Sequence, residues 1–271
     1  MDVRAAQVTS VRRVTPGMAR VSFAGDELHL CAGTCADAYV KLFFPLPGQE
    51  KPRLPDLVGD TWYRTYLAMP DDVRPPMRTY TIREHRGSEI DVDFVLHGDS
   101  GPASSWANRA RPGDHVALIG PGGLHIVPEQ TDWQLLVGDE TALPAIGAIL
   151  ADLPRGAVAH AYIEVDHPAE EQELATEGDV EIHWVHRGER PHGEGLLDAV
   201  REAKFPDGTP YAWISGEAGM VKYARRHLVR ERGLDKRAIT FTGYWRKGVD
   251  QDQEAAESLR KYEAGEPLEE D

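Results

Sequence analysis

Through about residue 128, hydrophobic and polar positions alternate in short runs: AAQVTSVRRV, ARVSFAG, YVKLFFP, RTYTIRE, EIDVDFVLH and HVALIG. These runs are rich in β-branched and aromatic residues and bounded by Gly, Pro or Asp, the pattern of strands joined by turns. No helical segment interrupts them before Pro102, so they predict a small antiparallel β-barrel. The stretch between YVKLFFP and RTYTIRE is long and proline-rich, and a connection of that length is expected to be functional or mobile.

The pattern changes after about Glu129. WQLLVGDE, HAYIEV, EIHWVHR, YAWISGE and ITFTGYW read as strands, while ALPAIGAILADLP, GEGLLDAVREAK and EAGMVKYARRHLVRERG between them read as helices. Alternation of this kind builds βαβ units on a mostly parallel sheet. The expected organisation is therefore β plus α/β: a barrel over 1–128, an α/β domain over 129–248 and an acidic helix or tail over 249–271.

Composition narrows the function classes. With 41% hydrophobic and 28% charged residues among 271, the chain has material for one large or two modest cores and is neither disordered nor fibrous. A net charge of −15 repels phosphate backbones, which argues against nucleic acid as a partner. Nine acidic residues between Val249 and Asp271, against Arg260 and Lys261, predict a solvated helix over about 251–262 and a frayed end. No run approaches the ~20 apolar residues of a membrane span. The first residues, MDVRAAQVTS, carry charge where a secretory signal has an apolar core, so the expectation is a soluble cytoplasmic protein without a membrane partner.

Two sets of candidate metal ligands are set aside. Cys31 and Cys35 read as reduced loop thiols, because an iron–sulfur cluster or structural zinc normally takes four ligands. His183 and His186 lie three apart on a strand and so face opposite ways, which predicts no shared metal.

Two segments carry candidate chemistry. In Met77–Arg83, alternation sends Arg78, Tyr80 and Ile82 to one face and Thr79, Thr81 and Arg83 to the other. A phenol beside a guanidinium suits a flat ring system bearing phosphate, and an ordinary amphipathic strand shows the same pattern. In VLHGDSGPASSWA, Gly98 and Gly101 allow close backbone approach, Pro102 suits a first helical turn, and Ser104 and Ser105 add hydroxyls. That segment reads as a pyrophosphate cradle or as a glycine-rich turn opening a short helix.

Together, Arg78-Thr79-Tyr80-Thr81, His97-Gly98, Gly101 through Ala107, Gly120 through Gly123, Gly138 through Ile146, Ser215 through Ala218 and Gly243 through Gly248 resemble the siderophore-interacting protein family. The resemblance runs from about residue 4 to 248. That family comprises FAD-dependent ferric-siderophore reductases related in fold to ferredoxin-NADP reductases. It implies FAD on the barrel: Arg78 at a flavin phosphate, Tyr80 stacked on the isoalloxazine, and Thr79 and Thr81 beside it. The pyrophosphate would then lie along His97, Gly98, Gly101, Ala103, Ser104, Ser105 and Trp106.

The resemblance further implies NADH, NADPH or an electron-donor protein as reductant, with the nucleotide at Asp139, Glu140, Thr141, Ser215, Gly216 and Glu217. Asp139 and Glu140, however, stand where a G-x-G-x-x-G site offers amides, and they repel a pyrophosphate, so the nucleotide site is less secure than the flavin site. Arg225 and Arg226 are either solvated or set to meet a 2′-phosphate. Lys41, Arg246 and Lys247 are the implied contacts to the ferric siderophore. Electron transfer through the flavin needs no catalytic acid or base. A general NAD(P)H:flavin or quinone oxidoreductase fits the same cradle, whereas a siderophore carrier without catalysis would not need it.

Overall fold

The computed structural model describes residues 3–32, 35–55, 62–96 and 101–249. His97 and Gly98 and the acidic tail from Asp250 onward lie outside the described residues. Two compact units emerge. The first holds the described residues among 1–125 with Pro144–Asp152 and Ala169–Ala175; the second holds Ile126–Leu143, Leu153–Pro168 and the described residues from Thr176 onward.

Seven antiparallel strands form the sheet of the first unit: β1 (Arg4–Thr15), β2 (Met18–Ala24), β3 (Tyr39–Phe43), β4 (Met77–Thr81), β5 (Glu84–Arg86), β6 (Glu89–Val95) and β7 (His115–Gly122). Their order is β4-β3-β7-β1-β2-β6-β5. The sheet rolls until its far strands meet, because the Arg83 amide beyond β4 donates to the Asp91 carbonyl of β6 at 2.8 Å. Alternation along β1 turns Ala6 and Val8 inward and Gln7 and Thr9 outward, as a strand with one wet face must. Val21, Phe23, Val40, Leu42, Ile90, Val92 and Leu118 fill the interior. Inside this sheet, Arg20 pairs bidentately with Asp93 at 2.6 and 2.7 Å, which satisfies two charges that burial would otherwise make costly.

Two helices of this unit differ in how legible they were. Helix α2 (Pro102–Arg109) starts at the proline as expected. Helix α1 (Trp62–Leu67) corrects the expectation of a helix-free stretch before Pro102: Trp62 and Tyr66 bury against Phe43, Ala117 and Ile119, so tertiary burial forms a helix that a proline-rich context hides. RTYTIRE also divides, β4 ending at Thr81 and β5 starting at Glu84. Cys31 is buried in the core and only Cys35 is partly exposed; both are free thiols.

The second unit is built on five parallel strands: β8 (Trp133–Gly138), β9 (Val158–Val165), β10 (Asp179–His186), β11 (Pro210–Glu217) and β12 (Ile239–Trp245), in the order β10-β9-β8-β11-β12. All four pairings are parallel. β8 is buried at every position, as a central parallel strand covered on both faces should be. Helices α4 (Glu194–Glu202) and α5 (Ala218–Arg230) lay Leu196, Val200, Met220, Val221, Ala224 and Leu228 on one face of it. Helix α3 (Leu143–Asp152) follows β8. Among the described residues, no helix is long and apolar enough to cross a membrane.

Candidate functional site

In the first unit, β4 and the start of α2 are held by one aromatic cluster. The Tyr80 ring lies 4.3 Å from Phe94 of β6, and Phe94 lies 5.9 Å from Trp106 of α2. Trp106 also meets Phe23 and Phe44, so its indole sits inside the core and Ala103 is buried with it. Tyr80 is partly buried, and desolvation pushes its phenol well above its ordinary value, so it stays a neutral ring. Thr79 is exposed and Thr81 buried. The Arg78 guanidinium donates to the Met77 carbonyl at 2.7 Å and is partly exposed.

Helix α2 is capped by Gly101 at φ 90, a backbone setting that glycine reaches without strain, and this cap supplies no side-chain hydrogen bond to the first turn. Ser104 is buried in that turn, while Ser105 accepts from Arg109 at 3.1 Å. An N-terminus without a side-chain cap and with a proline at its head presents amides and the positive end of the helix dipole to an anion. Lys41, on β3 opposite Thr79, donates to the Thr79 hydroxyl at 3.2 Å, and burial lowers its ammonium pKa.

In the second unit, the six residues expected at a nucleotide are largely engaged with protein. Asp139, buried at the end of β8, accepts from the Thr141 amide and hydroxyl on one oxygen. Its other oxygen takes the Glu217 amide at 2.8 Å and the Trp245 indole N–H at 3.0 Å. Burial and the neighbouring Glu140 charge raise its pKa. Gly216 sits at φ 134 against this carboxyl, where a Cβ would come within 2.7 Å of it. Ser215 is buried, and Glu217 caps α5 by accepting from the Met220 amide at 2.9 Å.

Glu140 is gripped bidentately by Arg187 at 3.0 and 3.0 Å and faces His192 at 3.4 Å. Burial alone would raise its pKa, but hydrogen bonds from His192 and Arg187 outweigh it and bring the carboxyl down to about 2. Arg187 also reaches Glu164 and Asp166. Sequence reasoning passed over Arg187, His192 and Glu164, because only the convergence of strand ends assembles them.

A cavity of about 440 Å³ lies along α5 and β12, bordered by Lys222, Arg225, Arg226, Arg230, Lys236 and Phe241. Lys222, Arg226 and Arg230 recur every four residues on the exposed side of α5. Arg225 lies over the Phe241 ring at 4.2 Å, and its Nε is buried with no hydrogen-bond partner among the described residues. Of these cations the sequence reading singled out Arg225 and Arg226; the spacing of the other two on α5 was legible, whereas Lys236 and Phe241 arrive only through the fold. Arg246 and Lys247 follow β12, and the Lys247 amide donates to Glu217 at 3.3 Å.

Known proteins similar to this chain include members of one family. The family described as siderophore-interacting protein matches residues 131–248, and the siderophore-interacting FAD-binding domain matches residues 7–125. The NADPH-dependent ferric-chelate reductase of Escherichia coli (strain K12) is 32% identical over 90% of this chain and 94% of its own. The ferric vibriobactin reductase ViuB of Vibrio cholerae is 30% identical over 88% of both chains. The crystal structure of a siderophore utilization protein from T. fusca superposes with a TM-score of 0.79 at 36% identity, covering 92% of this chain and 94% of that one.

Proposed function

The chain belongs to the siderophore-interacting protein family, and from that premise we propose that it is an FAD-dependent reductase that takes electrons from NADPH and delivers them to ferric siderophores. The observation that carries this reading is the anchoring of β4 and the α2 N-terminus to one aromatic cluster through Tyr80, Phe94 and Trp106. A ring-binding strand and an anion-binding helix end are thereby held in fixed register.

The donor set fits FAD. Arg78 holds phosphate charge, Tyr80 offers a neutral ring face, Thr79 and Thr81 offer hydroxyls, and the α2 amides beyond Gly101, with Ser104 and Ser105, receive the pyrophosphate. When bound, FAD accepts an electron pair as hydride and releases electrons singly, which matches a nicotinamide donor to a one-electron ferric acceptor. The overall balance is NADPH plus two ferric complexes giving NADP⁺, a proton and two ferrous ions. Hard oxygen ligands hold the ferrous ion less tightly than the ferric ion, so reduction loosens the iron.

Asp139, Glu140, Thr141 and Glu217 are engaged with one another or with protein partners, so on this reading the basic cavity on α5 supplies the charge that meets the nucleotide's phosphates. We assign Arg225, Arg226 and Lys222 to the 2′-phosphate, which selects NADPH over NADH. Lys41, Arg246 and Lys247 are each candidates for meeting anionic groups of the siderophore. The two free thiols, Cys31 and Cys35, accord with a reducing compartment, and we place the reaction in the cytoplasm.

The deciding experiment is anaerobic reduction of the flavin-loaded protein followed by stopped-flow re-oxidation. Ferric siderophores re-oxidise it faster than quinones do under this proposal; the opposite order makes it a general flavin oxidoreductase.

A further inference from the structure

Strands β9 and β10 run parallel with His160 opposite Glu181 and Tyr162 opposite His183. Alternation puts Glu181 and His183 on one face, and the register adds His160 to that face from the neighbouring strand. His183 and His186 both lie on β10, three positions apart and so on opposite faces; it is the adjacent strand that supplies His183 with a partner.

His160 is 8% exposed, yet its Nδ1 has no hydrogen-bond partner among the described residues, and the buried His183 Nε2 has none either. Both nitrogens face one oxygen: Glu181 Oε2 lies 3.7 Å from His160 Nδ1 and 3.5 Å from His183 Nε2. All three atoms fall within 4.8 Å of one another. Those separations exceed the 2.7–3.2 Å of ordinary hydrogen bonds. They approach the edge of a coordination tetrahedron instead, since metal bonds of about 2.0–2.1 Å give ligand spacings of roughly 3.4 Å. Packing fixes both rings. Tyr162 stacks on His183 at 4.4 Å and 12°, and Trp133 lies 5.8 Å from His160.

We propose that His160 Nδ1, Glu181 Oε2 and His183 Nε2 form a binding site for one divalent transition-metal ion. Two imidazoles and a carboxylate favour ions such as Zn²⁺ or Fe²⁺ over Ca²⁺ and Mg²⁺, which prefer all-oxygen shells. The Glu181 side chain is 67% exposed while both ligating nitrogens are buried, so an ion reaches the site from the Glu181 side. The site belongs to the second unit alone and does not depend on the reductase reading.

The test uses untagged, flavin-loaded protein stripped of metal by a chelator. Calorimetric titration with Zn²⁺, titration with Co²⁺ read by its visible ligand-field bands, and titration with Fe²⁺ under anaerobic conditions should each show about one equivalent bound, with Fe²⁺ weaker than Zn²⁺. Glu181→Gln, at an exposed side chain that folding does not need, weakens binding at least about tenfold, and His183→Ala abolishes it. His186→Ala, on the opposite face, leaves it unchanged. Binding indifferent to Glu181→Gln and His183→Ala, or no binding at submillimolar Zn²⁺, overturns the proposal. The Fe²⁺ arm separates a site able to hold the ferrous product from one serving Zn²⁺.

Discussion

The Asp139 carboxylate accepts the Trp245 indole N–H at 3.0 Å, tying the end of β8 to the end of β12 across the intervening β11. Because the same carboxylate also takes the Glu217 amide and both donors of Thr141, one buried side chain closes the C-terminal edge of the sheet.

Asp139→Asn therefore turns one oxygen of a four-donor acceptor into a donor. Two of the N–H or O–H groups then face an amide NH₂ in a buried setting, at a cost of about 1–3 kcal/mol each. Urea unfolding should show a loss of roughly 3 kcal/mol, with a Trp fluorescence change in the native state. Trp245→Phe leaves the Glu217 amide bonded and should cost only about 1 kcal/mol. Equal losses for the two variants would show that the indole contact alone matters.

The Glu140–His192 pair sets a pH window for stability. Glu140 titrates at about 2 in the fold against an ordinary 4.5, so its contribution is present above pH 4.5 and is lost as pH falls toward 2. For His192, burial opposes the charged form, but Glu140 outweighs it and raises the pKa above 6.5; that contribution is full below pH 6.5 and fades as pH rises through the raised value. Stability from this pair thus peaks between the two ordinary values. Glu140→Gln should remove on the order of 3 kcal/mol at the plateau and flatten the acid limb. Melting temperature against pH, with NMR titration of His192, checks both; an unaltered His192 titration in the variant would separate the two residues.

Arg78 offers the direct test of the flavin cradle. Arg78→Ala removes charged hydrogen bonds worth about 1.5–3 kcal/mol, which is roughly a ten- to hundredfold weaker FAD affinity. Its guanidinium donates to the Met77 carbonyl at 2.7 Å, and circular dichroism of the variant separates lost binding from lost fold. Fluorescence titration with unchanged affinity removes Arg78 from the site.

Period-two runs in the first part of the chain and strand–helix alternation in the second made both sheets legible, down to the proline that opens α2. Helix α1 was not legible: its propensity signal is short and lies between prolines, and only the pocket formed by Phe43, Ala117 and Ile119 makes it worth folding. Strand β4, proposed to carry the flavin, was readable as a strand because its alternating residues, Arg78 and Tyr80 among them, are local to one segment. The engagement of Asp139 and Glu140 was not, since Trp245, Arg187 and His192 come from distant strands. For the same reason His160 passed unnoticed, being 21 residues from Glu181 in sequence and directly opposite it in the sheet.

The basic cavity on α5 yields the last prediction. A chain with net charge −15 repels NADPH at long range, but that repulsion decays over about 8–10 Å at physiological salt, so the local cations decide binding. Under the proposed assignment, the Arg225 Nε, buried over Phe241 with no hydrogen-bond partner among the described residues, is the donor that a 2′-phosphate would satisfy. Arg225→Ala should raise the KM for NADPH roughly ten- to hundredfold while changing that for NADH little, since only NADPH carries the 2′-phosphate. Lys222→Ala and Arg226→Ala, on the exposed side of α5, should act in the same direction and lose effect as salt is added. A parallel rise for both nucleotides would mean that Arg225 supports β12 through Phe241 and that the 2′-phosphate binds elsewhere.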